Sequence, residues 1–396
     1  MRESETELMK RASWWLLLAG EEREGKKKRR RKQSGGFRDK KIIEYENRIR
    51  LYSNPEKIFR YFASIKIVYN NGDSEIYMTP DDFLRALTPG VKQPDGLGLD
   101  QFKKIDLSKG KNDFKHDLKP DSIFYKLSKF GLINFSDFLF LLTVISVSRR
   151  HFEIAFRFFD ENGDGDLEFE EFEKVQNAIL SQTSIGQKMG KSVHYKGVSS
   201  AVSRYFFGAD LKQRLTIDNF IDFQRSLQSE LLNLEFERKH PDESGRISET
   251  DFAELLVAYA NLSEKKRERM IRRVMKKFGG DNTLGITMPE YQNFFRFLQN
   301  INDVDIALTV YNIAGASIDQ ATLKHVGKTV ANVELSDHLV EVVFTLFDDN
   351  EDNQLSNKEF ISVMKERLRR GLSKPKDTGF LKIMATIWKS LTSLDF

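Results

Sequence analysis

The chain has 396 residues, of which 40% are hydrophobic and 31% are charged, and this length predicts two or three packed domains. It contains no cysteine, which excludes disulfides, thiolate zinc sites, iron–sulfur clusters and cysteine nucleophiles together. No two of its six histidines lie four residues apart, so the helical zinc pair of a metalloprotease is excluded as well.

The positive charge of the chain is concentrated at its N-terminus. The net charge is +4, and residues 1–36 contain eleven Lys or Arg against six Glu, a local charge of +5 that leaves −1 for the rest. A near-neutral body argues against a nucleic-acid-binding core with a basic face. The basic run in this segment, which predicts contact with an acidic surface, comprises Lys26, Lys27, Lys28, Arg29, Arg30, Arg31 and Lys32.

Residues 1–36 are predicted to be a basic flexible tail. The longest apolar run there, 14–19, is far shorter than the roughly 18 to 20 residues that span a bilayer, and the Ser-Gly-Gly sequence at 34–36 is typical of a flexible joint. Residues 1–10 are rich in glutamate, unlike the acid-poor transit peptides, so the pattern of a cleavable presequence is not evident there, and the import route stays open.

Residues 37–111 are predicted to be a small α/β domain. Segments 42–51 and 58–62 place apolar residues at helical spacing. The segments 65–69 and 75–78 flank an Asn-Gly dipeptide, which is typical of a tight hairpin turn. A Thr-Pro pair at the start of 79–87 fits the N-cap and first position of another helix.

A repeated phrase dominates the chain from about residue 112. Each copy has a helix, a polar turn, one aliphatic residue, four mainly polar positions and a further large apolar residue. The aliphatic residue is taken as the centre, and successive centres lie 32 to 48 residues apart. This spacing predicts a helix-loop-helix array with lobes at 112–246 and 247–372 and a C-terminal helix at 373–396. The centres are Ile133, Leu167, Leu215, Ile247, Ile286, Ile318 and Leu355.

The loop at 160–171 matches the calcium pattern of an EF-hand, D-x-[DN]-x-[DN]-G with a final Glu. Ca²⁺ is a hard cation that prefers six to eight oxygen ligands, which positions 1, 3, 5, 7, 9 and 12 supply, while a glycine at position 6 allows the sharp turn. Leu167 is expected to pair with a partner loop through a short β-bridge. The predicted ligands are Asp160, Asn162, Asp164, Asp166, Glu168 and Glu171.

A second loop of this kind occupies 348–359. Asn353 replaces the usual glycine, and Asn is the non-glycine residue best able to adopt left-handed geometry. The loop has fewer carboxylates than the first, so we expect the weaker site here. The predicted ligands are Asp348, Asn350, Asp352, Gln354, Ser356 and Glu359.

An acidic loop between two helices can also be an ordinary solvated turn. A phenylalanine precedes each of the two loops and another follows each final Glu, which favours calcium binding. The loops at 208–219 and 240–251 contain too few carboxylates for a divalent cation. They are predicted to be scaffolding that pairs with the calcium loops and buries apolar surface.

The two calcium loops occur together with several longer phrases. These are GFRDKK at 36–41, EYENRIR at 44–50, KIFRYFA at 57–63, YFFGAD at 205–210, NINDVD at 300–305 and KPKD at 374–377. From about residue 36 to 390 the sequence resembles the mitochondrial calcium uptake proteins, the EF-hand gatekeepers of the mitochondrial calcium uniporter. Such breadth is more specific than a single calcium motif.

The resemblance implies a peripheral protein of the mitochondrial intermembrane space, held at the inner membrane by the uniporter complex. It would block the pore subunit at low Ca²⁺ and release it when Ca²⁺ rises. It also implies a channel-docking set that faces the acidic pore entrance, although ordinary solvated charges remain the alternative. The matching positions are Arg50, Lys57, Arg60 and Arg85.

Further partners follow from the same resemblance. The basic run at 26–32 would contact the small single-span regulatory subunit or anionic lipid of the inner membrane. Family members carry a C-terminal cysteine that links them to a paralogue, and Ser390 stands in its place. A disulfide dimer is therefore excluded, while noncovalent pairing with a paralogue or a second copy stays open. The apolar stripe within 380–394 could pack on the core or bind a partner.

The sequence therefore predicts a mainly α fold, in which EF-hand lobes follow a small N-terminal α/β domain and precede a C-terminal helix. The predicted function is a calcium-operated gate on the uniporter. A soluble calcium-dependent adaptor that offers a groove to target helices is the alternative. An enzyme is not expected, because no nucleophile–base pair or cofactor motif is found.

Overall fold

The computed structural model describes residues 36–69, 72–98, 100–106, 118–128, 130–146, 149–181, 200–280, 283–315, 318–348, 352–355 and 357–370. These ranges contain sixteen helices and five short strands. The helices are α1 Phe37–Tyr52, α2 Pro55–Phe62, α3 Pro80–Leu87, α4 Ile123–Leu127, α5 Phe135–Ser146, α6 Arg149–Phe159, α7 Phe169–Ser181, α8 Ser200–Phe207, α9 Ile217–Glu237, α10 Glu249–Val257, α11 Glu264–Phe278, α12 Met288–Gln299, α13 Ile301–Ile313, α14 Gln320–Thr329, α15 Asp337–Phe347 and α16 Asn357–Leu368. The strands are β1 Ile65–Val68, β2 Ser74–Tyr77, β3 Lys103–Asp106, β4 Arg246–Ile247 and β5 Ile286–Thr287.

The N-terminal sheet has the order β2-β1-β3. Strands β1 and β2 pair antiparallel, with Ile65 opposite Tyr77, as the hairpin prediction requires. Strand β3 pairs parallel to β1, with Ile65 opposite Lys103. It was not predicted, because its sequence KKID lacks a clear alternation of apolar and polar residues. The Asn-Asn pair at 70–71 lies outside the described residues.

Helix α3 begins and ends where the sequence predicts. Thr79 accepts a hydrogen bond from the backbone N–H of Asp82 at 3.0 Å, and the Asp82 carboxylate accepts one from the Thr79 N–H at 3.0 Å. This reciprocal pair satisfies two N–H groups that a helix start leaves without intrahelical partners. Pro80 fits the first position because its fixed φ is already helical.

The repeat centres meet in pairs. Leu167 and Leu215 exchange two backbone hydrogen bonds of 2.9 Å, which confirms the predicted bridge. Ile247 of β4 lies opposite Ile286 of β5, and the Leu355 N–H donates to the Ile318 carbonyl at 2.9 Å.

The remaining centre, Ile133, pairs with Met78. Met78 is followed by four polar or proline residues and Phe83, so it is an eighth centre that sequence analysis overlooked inside the small α/β domain. The loop at 240–251 consequently pairs with the loop of Ile286, and the prediction that it pairs with a calcium loop was wrong.

Two large apolar clusters form the described core. The first extends from Ile49 to Leu231 and contains most of the buried phenylalanines. The second extends from Leu232 to Met364. Helix α9 joins them, because its residues up to Leu231 pack in the first cluster and Leu232 and Phe236 pack in the second. At 21 residues this helix is about 30 Å long.

A buried charged cluster lies where α9 meets α16, the helix that follows the second candidate calcium loop. Glu235 accepts hydrogen bonds from Tyr259 at 3.1 Å and from Tyr291 at 3.0 Å. Its carboxylate also binds Arg367 at 2.6 Å and Arg370. Burial opposes ionisation of Glu235, but the two guanidinium groups outweigh it and lower its pKa to about 2. The cluster therefore fixes the end of α16 against α9.

Candidate calcium sites

The first candidate loop connects α6 to α7. Gly163 and Gly165 have φ angles of +73° and +90°, conformations that cost glycine little and other residues more. The Asp160 carboxylate accepts hydrogen bonds from both glycine N–H groups, at 2.7 and 2.8 Å. The backbone therefore winds around the carboxylate at position 1, as the loop pattern predicts.

The side chains at positions 3 and 5 of this loop also accept hydrogen bonds from its backbone. Asn162 Oδ1 accepts from the Asp164 N–H at 2.9 Å, and Asp164 Oδ1 accepts from the Asp166 N–H at 3.0 Å. In each of these bonds the accepting side chain lies two residues before the donating N–H in the chain, so the bond closes a tight local turn. They place three of the predicted ligand side chains in one compact turn.

Glu171 closes the loop from the first turn of α7. One carboxylate oxygen accepts from the Glu161 N–H at 3.0 Å, and the other accepts from the Glu168 N–H at 2.9 Å. The side chain is buried, so it lies inside the loop. Bidentate binding of Ca²⁺ by Glu171 would replace both of these backbone contacts.

The neighbouring hand supplies a cation to this loop. Arg214 forms ion pairs with Asp164 and, at 3.1 Å, with Glu168. It stands directly before Leu215, whose bridge to Leu167 brings the two loops together. Arg214 was not predicted, although the predicted bridge at Leu167 was the signal that could have located it.

The second candidate loop connects α15 to α16. The buried Asp348 carboxylate accepts hydrogen bonds from the N–H groups of Asp352 and Asn353, at 3.3 and 2.8 Å. Asp352 in turn accepts from the Gln354 N–H at 2.8 Å. Asn353 has a φ of +57°, which confirms that it adopts the left-handed conformation of the usual glycine. The predicted ligands Asn350 and Ser356 lie outside the described residues.

The final ligand of the second loop is held from another helix. Lys266 of α11 places its Nζ 2.8 Å from Glu359 Oε1. The two residues are 93 positions apart in the chain, so no local pattern could have predicted the contact. Lys266 and Arg214 are therefore alike, because each forms an ion pair with a carboxylate that is predicted to bind calcium.

Within the ranges that the structure describes, no three acidic or histidine side chains are grouped closely enough to hold a metal ion. The predicted carboxylate ligands instead contact backbone N–H groups, Arg214 and Lys266. Their donor set nevertheless suits Ca²⁺, because the side chains present oxygen ligands at the spacing of an EF-hand. The ligand assignment stays a prediction.

The other loops contain different contacts. At 240–251, Asp242 accepts hydrogen bonds from the Ser244 hydroxyl at 2.7 Å and from the Arg246 N–H at 3.0 Å. The hydrogen bonds from Ser244 and Arg246 lower the pKa of Asp242. Asp242 is thus occupied by contacts within its own loop, which is consistent with the scaffolding role predicted for this unit.

Comparison with known proteins identifies the family. Calcium uptake protein 1, mitochondrial, of Danio rerio is 52% identical over 378 residues, which cover 91% of this chain and 76% of the relative. The human protein of that name is 52% identical over 371 residues, with 91% and 77% covered. The chain belongs to the calcium uptake protein family. The model of an EF-hand domain pair matches residues 314–367, the hands centred on Ile318 and Leu355.

Solved structures agree with the family assignment. EFHA2 in its calcium-binding state is 31% identical, with a TM-score of 0.58 and coverage of 79% of this chain and 99% of the other. The apo structure of the mitochondrial calcium uniporter protein MICU2 is 25% identical, with a TM-score of 0.57 and coverage of 86% and 96%. The chain is thus a mainly α EF-hand member of the family, and Ca²⁺ is the cation that it binds.

Two of the predicted channel-docking residues are exposed. Lys57 and Arg60 lie on the solvent side of α2, which confirms that they share a face. Arg60 forms a bidentate ion pair with Asp100, at 2.7 Å to each carboxylate oxygen. This pair raises the pKa of Arg60. Docking of Arg60 to an acidic pore rim would compete with Asp100.

The other two, Arg50 and Arg85, are buried. Arg50 donates to the Arg85 carbonyl at 3.0 Å, and burial lowers its pKa to about 10, so it stays charged at neutral pH. Arg85 binds Asp81 and, at 2.6 Å, Asp82. In this conformation both guanidinium groups stabilise the fold around α3. Direct contact with a pore would require that network to open.

Several predictions concern residues outside the described ranges. The basic tail at 26–32, the C-terminal helix at 373–396 and Ser390 belong to this group. Among the described helices, none combines the length and the apolar character that a membrane span requires.

Proposed function

We propose that the protein is the calcium-sensing regulatory subunit that gates the mitochondrial calcium uniporter, blocking the pore at low Ca²⁺ and releasing it when Ca²⁺ occupies both hands. It acts as a regulator and not as an enzyme. It works in the mitochondrial intermembrane space, peripheral to the inner membrane. Its partners are the pore subunit, the small single-span subunit and a paralogue or second copy. The names of its relatives support the mitochondrial and uniporter parts of this proposal.

The observation that carries the proposal is the position of the two final glutamates. Glu171 and Glu359 lie in the first turns of α7 and α16, so a calcium ion that draws either carboxylate inward also moves the helix that carries it. In the structure, Glu171 accepts hydrogen bonds from backbone N–H groups and Glu359 forms an ion pair with Lys266. Calcium binding must therefore replace defined contacts of both glutamates.

A chain of contacts connects the second hand to the domain that carries Lys57 and Arg60. Helix α16 bears Glu359 near its start and Arg367 near its end, and Arg367 binds Glu235 of α9. One turn beyond, Arg238 forms an ion pair with Asp81 of α3. We propose that movement of α16 is transmitted along this route and changes the fit between the docking face and the acidic pore rim.

Calcium titration of the 396-residue chain tests the ligand assignment. The wild type is expected to bind two ions, and Glu171→Ala and Glu359→Ala are each expected to bind one, measured by isothermal calorimetry. Glu170→Ala, which changes an exposed acid of α7, serves as the control and should retain two. If both single variants still bind two ions, the assignment is wrong.

Calcium uptake by mitochondria lacking their own regulator tests the gate. Wild-type protein is expected to suppress uptake at low Ca²⁺ and to permit it at high Ca²⁺. The double variant Glu171→Ala/Glu359→Ala is expected to suppress uptake at both levels, because it cannot bind the releasing ion. Release of the double variant at high Ca²⁺ would contradict the mechanism.

One observation favours the second candidate, a calcium-dependent adaptor. Helix α13 exposes an apolar row of Ile306, Val310 and Ile313, which are 65%, 59% and 81% exposed and lie on one face. An adaptor would bind amphipathic peptides more tightly as Ca²⁺ is added, whereas the gate would bind the pore complex less tightly. Parallel binding measurements on both targets separate the two functions.

A further inference from the structure

Helix α11 is a strongly basic element of the folded body. It contains eight Lys or Arg against two Glu, a net +6 over 15 residues. Since everything after residue 36 sums to −1, the remainder without α11 has a net charge of −7. The near-neutral total of the folded body therefore conceals a strongly basic helix.

Four of these basic residues contact residues of their own lobe outside the helix. Lys266 binds Glu359 and Lys277 binds Glu341, each at 2.8 Å. Arg273 donates to the Leu346 carbonyl at 2.8 Å, and Arg267 donates to the Ala260 carbonyl at 3.3 Å. These contacts, with Met270, Val274 and Phe278 in the core, fix the orientation of the helix.

The remaining four form an exposed row on the opposite side. Its members, called the α11 row, are Lys265, Arg269, Arg272 and Lys276, and all four are exposed. Their spacing of four, three and four residues places them on one face about 16 Å long. Like charges four residues apart destabilise a helix. The four side chains of the row therefore repel one another along the helix.

Apolar side chains accompany the row. Met275 lies between Arg272 and Lys276 in the sequence and is 62% exposed. Lys40 Nζ of α1 lies 3.9 Å from Glu264 Oε1, the first residue of α11, so the starts of the two helices are adjacent. Phe37, at the start of α1, is 79% exposed. The polypeptide enters the described fold at this edge, four residues after the basic run at 26–32.

We propose that the α11 row is a docking surface for an anionic membrane. Long basic side chains on a convex helix reach lipid phosphates without a groove, and each one near an anionic bilayer strengthens binding by roughly fivefold. Exposed Met275 and Phe37 can enter the interfacial layer beside them. The proposal rests on charge and exposure alone, so it stands independently of the calcium ligands and of the gate.

Vesicle co-sedimentation of the 396-residue chain in the presence of a calcium chelator tests the proposal. The wild type is expected to bind vesicles of phosphatidylcholine with phosphatidylglycerol and not vesicles of phosphatidylcholine alone. The variant Lys265→Gln/Arg272→Gln/Lys276→Gln is expected to bind about a hundredfold more weakly. The matched control, Lys119→Gln/Lys126→Gln/Arg204→Gln, removes the same charge from exposed sites elsewhere and should bind like the wild type.

The tail is identical in all three proteins, so its own attraction to lipid cancels in the comparison. Equal losses of vesicle binding in the two variants would show that net charge alone determines the binding, and would overturn the proposal. Unchanged binding by the α11 variant would overturn it as well. So would a variant that binds vesicles normally but no longer co-purifies with the pore subunit, because the row would then be a protein contact.

Discussion

Lys266 Nζ lies 2.8 Å from Glu359 Oε1, so a lysine from α11 holds the carboxylate that is predicted to close the second calcium loop. The side chains are 34% and 26% exposed. A cation already at this position must leave before Glu359 can bind Ca²⁺ with both oxygens. Lys266 thereby opposes calcium binding at a loop that Asn353 already distinguishes from the first.

Removal of Lys266 is expected to tighten calcium binding at the second loop. Partly exposed ion pairs contribute about 0–1 kcal/mol, so Lys266→Met should lower the dissociation constant by up to about fivefold, measured by calorimetry in the Glu171→Ala background. Lys265→Met removes the same charge from the neighbouring exposed position. Equal effects of the two substitutions would mean that the total charge near the loop weakens calcium binding, and that the contact between Lys266 and Glu359 does not.

Arg214 is expected to play the same part at the first loop. It binds Asp164 and Glu168, so Arg214→Gln should tighten calcium binding there by up to about fivefold, measured in the Glu359→Ala background. Lys212→Gln changes a charge two residues away whose side chain is exposed. Weaker binding by Arg214→Gln would show that the arginine supports the loop instead of competing with calcium.

The left-handed conformation of Asn353 makes a prediction about stability. Its backbone N–H donates to Asp348 at 2.8 Å, and substitutions keep this donor. Asn353→Ala is expected to lower the free energy of unfolding by about 1 kcal/mol, because alanine at φ near +57° is strained. Asn353→Gly should be at least as stable as the alanine variant. Chemical unfolding curves measure the order, and alanine above glycine would contradict it.

The buried charge of Glu235 is expected to be essential for stability. Glu235→Gln leaves Arg367 and Arg370 without their buried anion, and the expected loss is about 3–5 kcal/mol in the free energy of unfolding. Glu237→Gln, two residues along α9 and exposed, is the matched control and should change little. A loss below 1 kcal/mol for Glu235→Gln would show that the arginines find other partners.

The stabilising effect of Glu235 should also depend on pH with a definite sign. Its pKa is lowered to about 2 in the folded protein, against about 4.3 when unfolded. A lowered pKa stabilises the fold above the unfolded value, and this contribution is lost as the pH falls from about 4.3 to about 2. The difference between wild type and Glu235→Gln should therefore shrink over that window. A constant difference would contradict the assignment.

Much of this protein could be predicted from local sequence. The ligands of each calcium loop lie within twelve residues, and the helix start at Thr79 depends on three neighbours, so short patterns contain the information. The repeat centres were likewise visible because a bridge residue such as Leu167 has a fixed place in its own hand. Even the left-handed turn at Asn353 follows from residue type.

Tertiary structure alone decided which charges meet. Arg50 and Arg85 look like Lys57 and Arg60 in the sequence, yet packing around α3 buries the first two and exposes the others. Partners such as Lys266 and Glu359 are far apart in the chain, and only the packing of α11 against the second hand joins them. Electrostatic contacts depend on distances in space. A sequence fixes such distances over a turn or a loop, and the folded core fixes the rest.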